Sequence, residues 1–222
     1  MQNLTLIIPA KNESESLPSV LKELSGFKYN INVVLHSSDK KTVDSLSGLG
    51  VKILYQKNFG YGDALIYGIN QCNTEYFCIF NADGSFEPNE IEKMIDKVIK
   101  NDLDFIFASR YEKNASSEDD TIITLIGNYF FTKFSNFLFK LNISDILYTF
   151  VIGKTSSAKK LSLKQKDFTF CVELPIKAKK GGMKISSISA HERKRIAGKK
   201  KVNAFKDGFL ILVHICKLFL KR

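Results

Sequence analysis

Short, largely apolar runs alternate with stretches of helical period through the first half of the chain. The runs at 4–8, 31–35, 51–55, 76–80 and 105–107 predict strands, and the segments 14–24, 41–46, 62–71 and 89–100 between them predict helices. Strands that are apolar at successive positions belong in a sheet covered on both faces. The pattern therefore predicts an α/β fold with a mostly parallel sheet flanked by helices. Ligands of such sheets sit beyond the carboxyl ends of the strands, which directs attention to the loops after Ile8, Leu35, Tyr55 and Phe80.

Beyond residue 110 the rhythm changes. A polar loop at 112–120 leads into a helical stretch at 122–141, where Ile123, Ile126, Phe130, Phe134, Phe137 and Leu141 recur at helical spacing. Aromatic stripes of this kind usually pack inward, so a core-facing helix is expected, with a lipid-binding groove as the alternative. A further helix is predicted at 171–180, stopped by Gly181 and Gly182, and then a strand at 184–188.

Composition narrows this picture. With 222 residues and 44% apolar content, a single domain around one large core is expected. The four cysteines form no CxxC pair, so neither a zinc site nor a disulfide framework is indicated. Met1-Gln2-Asn3 runs directly into the first strand without a basic and then long apolar leader, so a cytoplasmic protein without an export signal is expected.

The net charge of +10 is gathered at the far end, where Asp207 is the one acid among ten Lys and Arg between Arg193 and Arg222. An apolar run at 209–216 lies in their midst. That combination suits an anionic membrane surface or a phosphate-bearing ligand, while a core-packed helix with a solvated Lys face is the plainer reading. The run is too short to cross a bilayer, which takes about 20 apolar residues. Nucleic acid is not expected, because no aromatic residues interleave with the basic cluster.

Four loops carry candidate chemistry. After the first strand, Pro9-Ala10-Lys11-Asn12-Glu13 lacks the glycines of a dinucleotide fingerprint. Glu13 could accept bonds from a base or ribose, and Ser14 or Ser16 could cap the following helix. After the second strand stands His36, which can hydrogen-bond a ligand or serve a structural role. After the third, Asn58, Gly60 and Gly62 open a helix, where free N–H groups favour phosphate, although glycines there also suit an ordinary turn. After the fourth, Asn81-Ala82-Asp83-Gly84-Ser85 places a carboxylate at a strand end, where it could hold Mg²⁺ or Mn²⁺ shared with substrate phosphates. An Asp-Gly pair alone is as readily a simple turn.

Taken in order, Leu6 to Glu13, Asn58 to Gly62, Asn81 to Ser85, Ala108 to Tyr111, Ser144-Asp145, Phe168 to Ala178 and Arg195 to Lys201 resemble family 2 glycosyltransferases, most of all the dolichyl-phosphate mannosyltransferase-like branch. The resemblance runs from about residue 4 to 209 and implies the GT-A fold. It implies a nucleotide-sugar-binding half at 1–110, an acceptor-side half at 111–204 and a basic C-terminal helix at 205–222. Pro9, Ala10, Asn12, Glu13, His36, Asn58, Gly60, Gly62, Asn81, Ala82 and Asp83 would line the donor site. Asp83 would bind the divalent metal, with Ser85 as a further ligand. Arg110, Arg195 and Lys201 would meet phosphates, and Asp145 and Glu173 would lie near sugar or acceptor.

Three departures from the family pattern stand out. Asn81 replaces the first acid of the DxD motif, His36 stands within Leu35-His36-Ser37-Ser38 where relatives carry an acidic pair, and Thr149-Phe150 and Lys200 replace Gly-Phe and Ser. The implied reaction is transfer from a UDP- or GDP-sugar to a polyprenyl phosphate or a membrane-presented glycan, with inversion. A phosphate acceptor is already ionised, whereas a hydroxyl needs a base, for which Asp145 and then Glu173 are candidates. Either acid could instead be a buried partner of Arg110 or Lys201. A silent nucleotide-sugar-binding protein and a sugar-phosphate nucleotidyltransferase are the rival classes. The latter ordinarily has a glycine-rich first loop that this chain lacks.

Overall fold

A computed structural model describes residues 3–198 and 201–220. Basic positions 199, 200, 221 and 222 lie outside the described residues. Nine strands are present among them: β1 Leu4–Pro9, β2 Asn30–Leu35, β3 Lys52–Tyr55, β4 Tyr76–Ile79, β5 Phe105–Ser109, β6 Ser116–Ser117, β7 Val151–Lys154, β8 Ile185–Ser189 and β9 His191–Glu192. The eight helices are α1 Leu17–Leu24, α2 Lys40–Ser45, α3 Tyr61–Asn70, α4 Glu90–Lys100, α5 Ile122–Phe139, α6 Thr155–Lys160, α7 Phe170–Lys180 and α8 Ala204–Leu220.

Seven strands form one sheet in the order β3-β2-β1-β4-β7-β5-β8, and β6 pairs separately with β9. Every pairing in the large sheet is parallel except those of β7, which runs antiparallel between β4 and β5. The period of two along β1 sends Leu6 and Ile8 into one core with α1 and α4, and Ile7 into the other with α3, α7 and α8. Helices on both faces explain the continuous apolar runs. Gly153 in β7 is required by packing, since a Cβ there would lie 2.4 Å from the Phe105 ring.

The helix after the polar loop overturns the expectation made for it. Its buried residues are Asn128, Thr132 and Ser135, while Ile123, Ile126, Phe130 and Phe137 are exposed. Asn128 and Thr132 can face inward here because partners await them. Asn128 donates to the Tyr111 hydroxyl at 2.7 Å, and Thr132 accepts from the Ile146 backbone at 3.1 Å. Phe131, Phe134 and Leu138 reach the core only in part. Leu141, beyond the helix, is buried as expected.

The C-terminal helix combines both readings of its sequence. Ile211, Ile215 and Leu218 pack inward, whereas Phe205, Phe209, Phe219 and Leu220 stay exposed. Among the described residues no helix is long and apolar enough to cross a membrane.

Candidate functional site

The carboxyl ends of the parallel neighbours β2, β1 and β4 lie on one edge of the sheet, where Ala197 and Gly198 face the loops after β1 and β2 across a cleft. The chain leaves β1 through Ala10, whose N–H still bonds to Val34, and then takes a left-handed turn at Asn12, φ 53°. The Asn12 N–H donates to Asp39 at 2.6 Å, and the Glu13 N–H donates to the Thr42 hydroxyl at 3.0 Å. Asp39 also accepts from the Thr42 backbone and so caps α2. It returns a carboxylate to the end of β2, where the resemblance found none. Its Asp-x-x-Thr spacing ahead of a helix was the available signal.

Ser16 does not cap α1 with its side chain; its hydroxyl donates to the Glu13 carboxylate at 2.8 Å. The other Glu13 oxygen is paired with the Lys201 ammonium. Asn12, Glu13, Asp39, Lys41, Ala197 and Gly198 line a hollow of about 280 Å³. On the far side of the β2 end, the His36 ring is stacked on exposed Phe59, centroids 4.0 Å apart, and its Nδ1 lies 2.7 Å from the Ser38 hydroxyl.

The glycines that open α3 do not leave a bare phosphate site. A Cβ at Gly60 would stand 2.0 Å from the Lys166 carbonyl oxygen, and one at Gly62 would stand 2.1 Å from that of Gln165. The Asp63 N–H donates to the Lys166 carbonyl at 3.1 Å. The loop between α6 and α7 thus sets its own carbonyl oxygens against the helix start expected to face the donor. Asn58 serves the same turn, its side chain donating to Asp63 at 3.2 Å.

Glu173 explains how that loop is held. Its buried carboxylate accepts from the backbone N–H of Lys164 at 2.9 Å and Gln165 at 2.8 Å, and pairs with Lys177 at 2.7 Å. With both oxygens engaged in this way the expected second base anchors the loop in this structure.

Asp83 occupies the turn after β4 and has two separate engagements. One oxygen accepts from the Ser85 N–H at 3.1 Å and its hydroxyl at 2.7 Å; the other faces Arg195 at 3.5 Å. Asn81 reaches the Ser85 hydroxyl at 3.4 Å, while Ala82 is buried. Ile196 lies over Gly84, which has φ 82° and no room for a Cβ, and the Ile196 N–H donates to the Asp83 carbonyl at 2.8 Å. The segment carrying Arg195 is thereby fastened onto the turn. Arg195 also pairs with Asp119 at 3.1 Å.

Among the described residues no three His, Cys, Asp or Glu side chains form a metal cluster. The Asp83 carboxylate and Ser85 hydroxyl are nonetheless hard oxygen donors in one turn. They fit Mg²⁺ or Mn²⁺ held by a single carboxylate and completed by substrate phosphates and water.

A second charged cluster lies behind the cleft. Arg110 binds both oxygens of Asp145, at 2.8 and 3.2 Å, and pairs with Glu192 at 3.4 Å and Asp120 at 3.6 Å. Its guanidinium also sits 4.6 Å from the Tyr148 ring. Burial acts to lower the Arg110 pKa, but the Asp145 charge and hydrogen bonds, then Glu192, carry it well above its ordinary value. Glu192 is pushed up by burial against the opposing pull of Arg110. Asp145 is 1% exposed and gripped by a permanent cation. The expected base and the expected phosphate ligand are thus paired with each other in this structure. Thr149, one of the departures, bonds the hydroxyl of half-buried Tyr61 at 2.6 Å.

With this geometry in view, similarity to known proteins becomes informative. Residues 5–162 match the family described as Glycosyl transferase family 2. A UDP-N-acetylglucosamine–dolichyl-phosphate N-acetylglucosaminyltransferase of Methanococcus voltae is 25% identical over 207 residues, covering 82% of this chain and 82% of that protein. A dolichol-phosphate mannosyltransferase of Pyrococcus furiosus is 31% identical over 125 residues, covering 52% of this chain and 35% of that protein. In three dimensions, a glucosyl-3-phosphoglycerate synthase of Mycobacterium tuberculosis superposes with a TM-score of 0.79 at 11% identity. The match covers 99% of this chain and 79% of that one, which was solved with Mn²⁺, UDP and phosphoglyceric acid.

Proposed function

Because the chain belongs to glycosyl transferase family 2 and has the GT-A fold, we propose that it transfers a sugar from a nucleoside-diphosphate donor to a polyprenyl phosphate, with inversion. The observation that carries this reading is Asp83 at the end of β4, beside Ser85 and facing Arg195, with Glu13 in the loop after the neighbouring strand β1. The base of a UDP- or GDP-sugar would lie near Asn12, Glu13 and the His36–Phe59 stack. Arg195 and Lys201 would exchange their carboxylate partners for the donor's diphosphate, where a guanidinium suits bidentate contact. Bound at Asp83, Mg²⁺ or Mn²⁺ supplies charge neutralisation for the departing diphosphate.

The acceptor follows from which bases the site lacks. Asp145 and Glu173 are both buried and engaged, so neither is free to take a proton from a sugar hydroxyl. A phosphate monoester is already ionised and attacks unaided, which favours a lipid phosphate over a glycan hydroxyl. The names of the Methanococcus and Pyrococcus relatives agree with this choice. Such an acceptor would be met at the cytoplasmic face of a membrane, with the basic C-terminal segment in peripheral contact.

Incubating the protein with UDP- and GDP-sugars, Mn²⁺ and a polyprenyl phosphate tests the reading directly. Lipid-linked sugar should form from one nucleotide class, and Asp83→Ala should lower the rate by about a hundredfold or more while Tm falls by only about 2–4 °C. Donor binding without turnover, unchanged by Asp83→Ala, would mean that the chain is a silent nucleotide-sugar binder.

A further inference from the structure

We infer that α5 and α8 form one surface that lies on an anionic bilayer in the headgroup zone. The inference deepens the lipid-acceptor reading, on which its biological use rests, but bilayer binding is measured without turnover.

The surface begins with the inverted packing of α5. Its inward residues are polar and its outward ones are Ile122, Ile123, Ile126, Tyr129, Phe130 and Phe137, the last 82% exposed. Beside it α8 exposes Phe205, also 82%, with Phe209, Phe219 and Leu220. The two helices run side by side. The Phe131 ring lies 3.7 Å from the Cβ position of Gly208, and the Phe139 and Phe219 rings are 5.9 Å apart. The Phe130 ring continues the surface from Phe131, 5.4 Å away. So many exposed aromatic and branched side chains on two adjoining helices exceed the scatter of single apolar residues found on ordinary surfaces.

Charge identifies the occupant. Lys133 is the single charged residue of α5, and Lys140 follows its end; α8 carries Lys206 and Lys217 against Asp207. Asp207 is engaged with the Asn203 backbone at 2.7 Å. A surface of aromatic residues flanked by exposed lysines matches the boundary between acyl chains and anionic headgroups, where aromatic rings and basic stems both settle. A second copy of this chain would bring Lys133, Lys206 and Lys217 against their like, which opposes self-association through this face.

The surface also adjoins the cleft. Asp83 pairs with Arg195, and Arg195 with Asp119, two residues before the α5 cap Thr121. Two ion pairs therefore connect the proposed cation turn to the start of the bilayer-facing helix. A phosphate at headgroup depth would approach the cleft from this side.

Sedimentation with vesicles tests the inference on the full chain. The protein should pellet with phosphatidylcholine vesicles containing phosphatidylglycerol and not with phosphatidylcholine alone. The triple substitution Ile126→Ser, Phe137→Ser and Phe209→Ser should weaken that partition by about tenfold or more. All three side chains are exposed, so Tm should hold. Because the chain contains no tryptophan, Phe137→Trp supplies a second readout, and its emission should shift to the blue only with anionic vesicles. Wild-type binding to anionic vesicles that the triple variant retains in full would overturn the inference. So would an unshifted Phe137→Trp emission, or a dimer in solution that the triple substitution dissociates. Vesicle binding without formation of lipid-linked sugar would sustain the surface while removing the acceptor reading.

Discussion

Helices α4 and α5 carry apolar residues at the same helical spacing and use them in opposite ways. In α4, Ile91, Met94, Ile95 and Val98 are buried against the sheet, with Lys93 outside. In α5 the stripe of isoleucine and phenylalanine faces out, and Asn128, Thr132 and Ser135 face in. Periodicity tells which residues share a face. Which face is covered depends on what the neighbouring elements offer, and beneath α5 they offer Tyr111, Ile146 and the ion cluster around Arg110.

Substitutions can break or sharpen this contrast. The largest effect should come from Asp145→Ala, which leaves the buried Arg110 without its bidentate partner. Denaturant unfolding should show a loss of about 3–5 kcal/mol. Met94→Ala, on the apolar seat of α4, should cost about 2–4 kcal/mol through lost burial and the cavity left behind. Asn128→Ala, on the polar seat of α5, should cost about 1 kcal/mol, the net worth of its bond to Tyr111. Ile126→Ser, on the outward stripe, should change stability by no more than about 0.5 kcal/mol. Were Ile126→Ser to cost as much as Met94→Ala, the stripe would be a core face after all and the contrast would vanish.

The smallest effect is expected at the sheet end remote from the cleft. There Lys154 and Lys184 hold the Asp102 carboxyl down at about 2, below its ordinary 3.8. A depressed carboxyl stabilises the fold above its unfolded pKa and loses that contribution as pH falls through the folded one. Asp102→Asn should therefore lower Tm slightly at neutral pH, and the difference from wild type should close as pH falls from near 4 to about 2.

The half of the fold from β1 to α4 was legible because its strands are mostly apolar runs and α1, α3 and α4 bury their apolar stripes. The antiparallel β7 was not. Val151-Ile152-Gly153-Lys154 is short, follows β5 by a long excursion and returns to lie between β4 and β5, a placement that local pattern does not encode. In the site, the turn bearing Asp83 and the loop bearing Glu13 could be read from their strand ends. The contacts of Gly60 and Gly62 with residues 165–167 could not, because those residues are distant in sequence, and the grip of Glu173 on 164 and 165 depends on how the intervening loop folds back. Asp145 likewise shows its role only when Arg110, far away along the chain, closes on it.

Arg195 on Asp83 and Lys201 on Glu13 bear on how a charged ligand is held. The cleft carries its own counter-ions, so on the proposed reading phosphates arriving with a cation would open two internal contacts while making new ones. Binding on these terms would be ion exchange: its free energy would be a small difference between large terms, and added salt would weaken what is given up along with what is gained. Release would run the same trade backwards, since each acid vacated by a departing product would have a cationic side chain within reach.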